Sequence, residues 1–226
     1  MKILAGMIVY HAPYLKTLQS VINLIHKTTK TNPEIDIQFA YQTRTPILYG
    51  IQNLIRQAKE EKYDYFFLLH DDLIYPENTI TSLLNQDKPV LTGWAYTRNM
   101  LATPGLFTLN KLTEIVSIDN HPEIDETVET PVCGGGAMLL RFDALHQISW
   151  EDKYIISNRG VDLILSTWIQ RAGFKIWVDK SIRLGHVVSP ELTINQNTLN
   201  TYKSLMGYYP DYNRERKPEL KSLIDE

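Results

Sequence analysis

The chain has 226 residues, 43% hydrophobic and 22% charged, with a net charge of −3. That size and balance fit one globular domain with a sizeable core, and the slight acidity excludes the global basic field that holds nucleic acid. Cys133 is the sole cysteine, so an intramolecular disulfide is excluded and a cytoplasmic location is expected. No apolar run approaches the roughly 18 residues that a membrane-spanning helix needs.

The elements alternate through the first half. Ile3 to Val9 reads as a buried strand rather than a secretory leader, because no small-residue cleavage site follows it. Pro13 opens a helix whose inward face is Leu15, Leu18, Val21, Ile22 and Ile25. Ile35 to Tyr41 alternates as a second strand. Thr45-Pro46 then caps a helix with Ile47, Ile51, Leu54, Ile55 and Ala58 on one face. Tyr65 to Leu69 is the third strand, Pro76-Glu77 opens a helix with Ile80, Leu83 and Leu84 inward, and Pro89 to Thr92 is a short fourth strand. This order predicts an α/β fold with a mostly parallel central sheet and helices on both faces.

The second half reads as a smaller mixed β region. Leu106 to Ile118 forms one or two strands or an extended connection. Asp119 to Pro131 is an acidic, proline-bounded loop, and Val132 to Arg141 is a strand interrupted by three glycines. Arg159 to Ala172 is a helix, with Val161, Leu165, Trp168 and Ile169 close to one face and Gly173 ending it. Phe174 to Val178 is a further strand. The charged tail from Asp211 is expected to fray.

Chemistry concentrates at four stations. In the first, the apolar run Tyr65-Phe66-Phe67-Leu68-Leu69 ends abruptly in His70-Asp71-Asp72. A buried strand that ends so delivers its polar cluster to the carboxyl edge of the sheet, where open α/β folds bind ligands. Adjacent carboxylates repel unless a cation sits beside them, and hard oxygen ligands suit Mg2+ or Mn2+. The second station is Gly134-Gly135-Gly136, which marks either close approach of a ligand to backbone or a bulge without function. Asp162, in the first turn of its helix, is the third, and an acid there also satisfies the helix dipole alone. His186, in a loop after the strand Phe174 to Val178, is the fourth. Tyr10 and His11 end the first strand, and Trp94, Tyr96 and Arg98 follow the fourth. Of these, Arg98 can pair with phosphate and an aromatic ring can stack on a base, although core packing suits Trp94 better. Glycine-rich phosphate loops, a G-x-S-x-G elbow and paired zinc cysteines are all absent.

In this order, Leu68-Leu69-His70-Asp71-Asp72, Gly135-Gly136-Ala137-Met138-Leu139-Leu140-Arg141, Val161-Asp162, Arg171-Ala172-Gly173-Phe174 and His186 resemble the motifs of nucleotide-sugar glycosyltransferases of the GT-A fold, family 2-like. The resemblance covers roughly Ile3 to His186. It implies a single domain, with residues 1–100 as the nucleotide-sugar half, 101–190 as the acceptor and catalytic half, and 191–226 as an extension. It implies Mn2+ or Mg2+ held by Asp72 and His186, and a nucleotide diphosphate sugar contacted by Tyr10, His70, Asp71, Arg98, Gly135 and Gly136. Asp162 is then the catalytic base, and a glycan or other hydroxyl is the acceptor. Two positions depart from the pattern: His70 stands where the first aspartate of a D-x-D motif usually does, and Val161 replaces a frequent Glu. Those departures leave open a non-catalytic nucleotide- or carbohydrate-binding module. A sugar nucleotidyltransferase is the other alternative, against which Tyr10-His11-Ala12-Pro13 stands in place of a basic glycine-rich loop.

Overall fold

The computed structural model describes residues 1–9, 13–43, 45–96, 106–109, 115–117, 126–134, 136–149, 161–189, 193–195 and 197–198. Tyr10, His11, Arg98, Gly135 and the tail beyond Thr198 lie outside them. The first half follows the expected alternation with one unforeseen addition, the two-residue β4: β1 (Lys2–Val9), α1 (Leu15–Thr31), β2 (Asp36–Thr43), α2 (Ile47–Glu60), β3 (Tyr65–His70), β4 (Leu73–Ile74), α3 (Thr79–Leu84) and β5 (Val90–Ala95). Then come β6 (Leu106–Leu109), β7 (Ile115–Ser117), β8 (Thr127–Thr130), β9 (Val132–Cys133), β10 (Ala137–Arg141), α4 (Phe142–Gln147), α5 (Val161–Arg171), β11 (Ile176–Val187) and β12 (Thr193–Ile194).

Among the described residues the main sheet has nine strands, with the path β12-β11-β5-β10-β3-β1-β2, and β4 and β8 both pair with β11. β1 runs parallel to β2 and β3, and β5 runs parallel to β11, as the alternation requires. β10 inserts antiparallel between β3 and β5, so the two halves of the sheet join through a reversed strand. The smaller sheet, β7-β6-β9, is antiparallel in both of its pairs. Two apolar layers cover the main sheet. One packs Leu4, Ile8, Phe66 and Leu68 against Ile51, Leu54 and Ile55 of α2 and Leu165, Trp168 and Ile169 of α5. The other packs Ile3, Met7, Phe67 and Leu69 against Val21 and Leu24 of α1 and Ile80 of α3. The chain is therefore an α/β protein of Rossmann-like architecture.

Five readings from sequence change. α1 does not turn Leu15 and Ile22 inward: they are 80% and 61% exposed, while Thr17, Ser20, Val21, Leu24 and Thr28 are buried. Leu18, Val21 and Ile25 do pack into the layer, and Ser20 Oγ accepts the Tyr75 N–H at 3.1 Å, which ties the helix to the segment after β4. Thr45 does not cap α2; its hydroxyl bonds the Thr43 carbonyl and Pro46 is the N-cap. Part of the acidic loop is a strand, β8, recruited by antiparallel pairing with β11. α4 was not foreseen, since six residues are too few to show a helical period. β11 runs far past Val178, so His186 sits in a strand and not in a loop. A register shift between Val178 and Arg183 breaks its apolar alternation, which is why it read as a short strand. Gly173, at φ +84°, ends α5 as expected.

Candidate functional site

β3 is buried along Phe66–Leu69, and its chain leaves the layers at His70. Asp71 and Asp72 make the turn into β4, whose Leu73 and Ile74 pair antiparallel with His186 and Gly185 of β11. The ladder is completed by the Val187 N–H, which donates to the Asp72 carbonyl at 2.8 Å. Strand pairing thus sets residues 114 apart in sequence side by side: His186 Nε2 lies 3.3 Å from Asp72 Oδ2. Both side chains are 17% exposed, sheltered but open to solvent.

The histidine's orientation is set from behind. Its Nδ1 lies 2.8 Å from the Tyr96 carbonyl. A carbonyl only accepts, so Nδ1 carries the hydrogen and Nε2 is the atom turned to the carboxylate. An imidazole nitrogen held this way beside a carboxylate oxygen is a donor pair that suits a divalent cation whose remaining positions go to water and phosphate. No group of three His, Cys, Asp or Glu side chains able to hold a metal occurs among the described residues.

Tyr75 is the structural post of the turn, and sequence reading gave it no role. Its hydroxyl accepts the His70 N–H at 2.8 Å and donates to the Gly136 carbonyl at 2.8 Å. Burial pushes its phenol well above the ordinary range, and the charges of Asp72 and Asp71 add to that. A tyrosine closing an apolar run before Pro76 was the signal available. Asp71 also receives a backbone bond, from the Tyr14 N–H at 3.3 Å.

The glycine run has a packing reason at one position. A Cβ on Gly136 would lie 2.1 Å from Leu73 Cδ1, so a larger residue there would displace the Leu73 side chain of β4. Gly134 faces open space. The run is the passage from β9 in the small sheet to β10 in the main one. Because β10 is antiparallel to β3, with Ala137 opposite Leu69, this passage lies along the carboxyl edge beside His70. His70 Nε2 is buried and has no hydrogen-bond partner among the described residues.

Asp162 stands in the first turn of α5. Burial raises the Cys133 thiol far above its ordinary value, and the Asp162 charge adds to the shift, so the carboxylate lies within electrostatic reach of the start of the glycine passage. Trp94 takes the core role: it is 3% exposed and its indole N–H donates to the Lys180 carbonyl at 3.0 Å. Tyr96 is also buried, edge-on to Trp94 at 5.1 Å, and contributes its carbonyl rather than a stacking ring.

Comparison with solved structures defines the class of fold. A197 from STIV superposes with a TM-score of 0.58 at 14% identity, over 87% of this chain and 91% of its own. GalNAc-T7, solved with UDP, GalNAc and Mn2+, gives 0.56 at 11% identity over 84% of this chain; the alignment spans 46% of GalNAc-T7. The inositol-1-phosphate CTP transferase from T. maritima gives 0.50 at 11% identity, over 89% of this chain and 94% of its own. No protein-family model matches the sequence, and no curated protein matches it either. At these identities the likeness is one of fold: Rossmann-like, of the GT-A type. No helix among the described residues is long and apolar enough to cross a membrane.

Proposed function

We propose that this protein is a metal-dependent glycosyltransferase that moves a sugar from a nucleotide diphosphate sugar to an acceptor hydroxyl, with inversion. The observation that carries this reading is the convergence of Asp72 and His186 at the carboxyl edge of the sheet, with Nε2 and Oδ2 3.3 Å apart. Asp72 and His186 would hold Mn2+ or Mg2+, which supplies charge neutralisation for the diphosphate leaving group. His70 and Asp71 take the ribose side of the donor, and Arg98 pairs with phosphate. Asp162 accepts the proton of the acceptor hydroxyl as that oxygen bonds the anomeric carbon and the bond to the diphosphate oxygen breaks. Support comes from a fold shared with a protein solved with UDP, GalNAc and Mn2+.

Sugar nucleotidyl transfer is the second reading. It is favoured by the near-complete coverage of the T. maritima inositol-1-phosphate CTP transferase, a chain of similar extent. A pure binding module of the same fold is the third.

A screen of nucleotide-sugars with Mn2+ separates the three. Release of nucleoside diphosphate and free or transferred sugar supports glycosyl transfer. Pyrophosphate release from a nucleoside triphosphate plus a sugar phosphate supports nucleotidyl transfer, and calorimetric binding without turnover leaves the binding module. Within the first outcome, Asp162→Asn is expected to keep donor affinity and lose about 10²–10⁴-fold in transfer rate. Wild-type rates in that variant would move the base elsewhere.

A further inference from the structure

β2 is the terminal strand of the main sheet and pairs only with β1 among the described residues, so its outer edge presents unpaired backbone groups. Natural edges are usually blunted by lysine, proline or a bulge. β2 has none of these: it reads Asp36-Ile37-Gln38-Phe39-Ala40-Tyr41-Gln42-Thr43 and pairs with β1 in unbroken register. Phe39 and Tyr41 are 44% and 62% exposed, and they stack on each other with ring centroids 6.4 Å apart. Ile37 packs into the α1 layer and Ala40 into the α2 layer, so alternation puts Phe39 and Tyr41 on the α1 face. On α1 itself Ile22 is also exposed.

The strand is a palindrome in chemical type about Ala40. Phe39 mirrors Tyr41, Gln38 mirrors Gln42, and β-branched Ile37 mirrors Thr43. In sequence the symmetry extends to a charge pair, acidic Asp36 and basic Arg44. A segment of that kind is complementary to itself when reversed.

We propose that the free edge of β2 is a homodimer interface, occupied by β2 of a second copy in antiparallel register with the two-fold axis at Ala40. Phe39 then faces Tyr41 of the second copy, Gln38 faces Gln42, and Ile37 faces Thr43, each a favourable cross-strand pair. The two sheets join into one, and both α1 helices flank the same face. A one-residue slip sets one aromatic against a glutamine and the other against Ala40 and turns opposite faces together, so composition disfavours it. The interface lies at the sheet end opposite β11 and β12, so it is independent of the site chemistry.

The test uses the full chain. Light scattering or equilibrium sedimentation at about 100 µM, where interfaces of modest area associate, is expected to give a dimer mass. Phe39→Lys with Tyr41→Lys is expected to raise the dimer dissociation constant at least about tenfold, because like charges then stand opposite each other. Register is read by cross-linking. Ala40→Cys is expected to give a disulfide-linked dimer on mild oxidation, because the paired Cα atoms stand about 4.5–5.5 Å apart. Gln38→Cys is expected to give none, since its copies are offset by four residues, about 14 Å. Cys133 is buried and does not interfere. A monomer mass throughout, a dimer indifferent to both lysines, or equal cross-linking at positions 38 and 40 overturns the proposal.

Discussion

β3 and β2 are both parallel neighbours of β1, and they differ in almost everything that sequence chemistry controls. β3 is covered on both faces, so Phe66, Phe67, Leu68 and Leu69 are all buried, and its polar residues are forced to the carboxyl end. Among the described residues β2 has a neighbour on one edge alone, and every residue in it keeps some exposure. The difference teaches where each kind of interaction belongs. A fully enclosed strand works as a rigid rod that aims a polar tip, while an edge strand offers its whole length as a surface.

Substitutions can sharpen or break that contrast. The largest effect is expected at the tip. If Asp72 has its proposed role, Asp72→Ala should lower Mn2+-dependent donor turnover and binding by about 100-fold or more with little change in thermal stability, since its side chain is partly exposed and not a core group. Calorimetry with nucleotide-sugar and Mn2+ giving an unchanged affinity would remove Asp72 from the site. Next come the two strands' aromatics. Phe67→Ala in β3 should cost about 3–5 kcal/mol in urea unfolding, while Phe39→Ala in β2 should stay within about 0.5–1 kcal/mol at dilute concentration. Equal losses would erase the contrast between rod and surface.

Smaller effects probe how β3 is held at its two ends. Tyr75→Phe strips the hydroxyl that joins the His70 N–H to the Gly136 carbonyl, and leaves both buried groups without that partner. A loss of about 1–3 kcal/mol is expected, with a weaker donor affinity as the turn loosens. Wild-type stability in that variant would deny the hydroxyl its structural role. At the amino end, Arg141 grips Asp143 through two 2.9 Å hydrogen bonds, which hold the Asp143 carboxyl below its ordinary value. A depressed folded-state pKa stabilises fully above the unfolded value and is lost as pH falls through the folded one. Asp143→Asn should therefore flatten the acid limb of stability against pH slightly, because the pair is well solvated. An unchanged acid limb would show that the pair contributes nothing to folding.

Much of the fold was legible because amphipathic periods and cap residues are local. The alternation of β1, β2, β3 and β5 with helices, the inward face of α2 and the Gly173 terminus of α5 follow from spacing alone, while β4 does not. Reversal of β10 was not legible, since nothing in Ala137–Arg141 states which strands it will join. The burial of Thr17, Ser20 and Thr28 on α1 was hidden as well, and the Tyr75 backbone that meets Ser20 lies 55 residues away. Of the candidate site, Asp72 and His186 were named from residue type and order, and they meet in the fold. Gly136 was noticed for its backbone, and its close packing against Leu73 was not legible. Tyr10, Arg98 and Gly135 lie outside the described residues.

By itself, then, the sequence determined a chain of strands and helices with a charged tip on its most apolar strand, because hydrophobic patterning is written residue by residue. Only tertiary structure decided that β11 would continue past its register shift to His186, that β4 would pair with it, and that Tyr96 would orient the ring. Hydrogen bonds between distant backbones make those choices, and their partners have no signature within a local window.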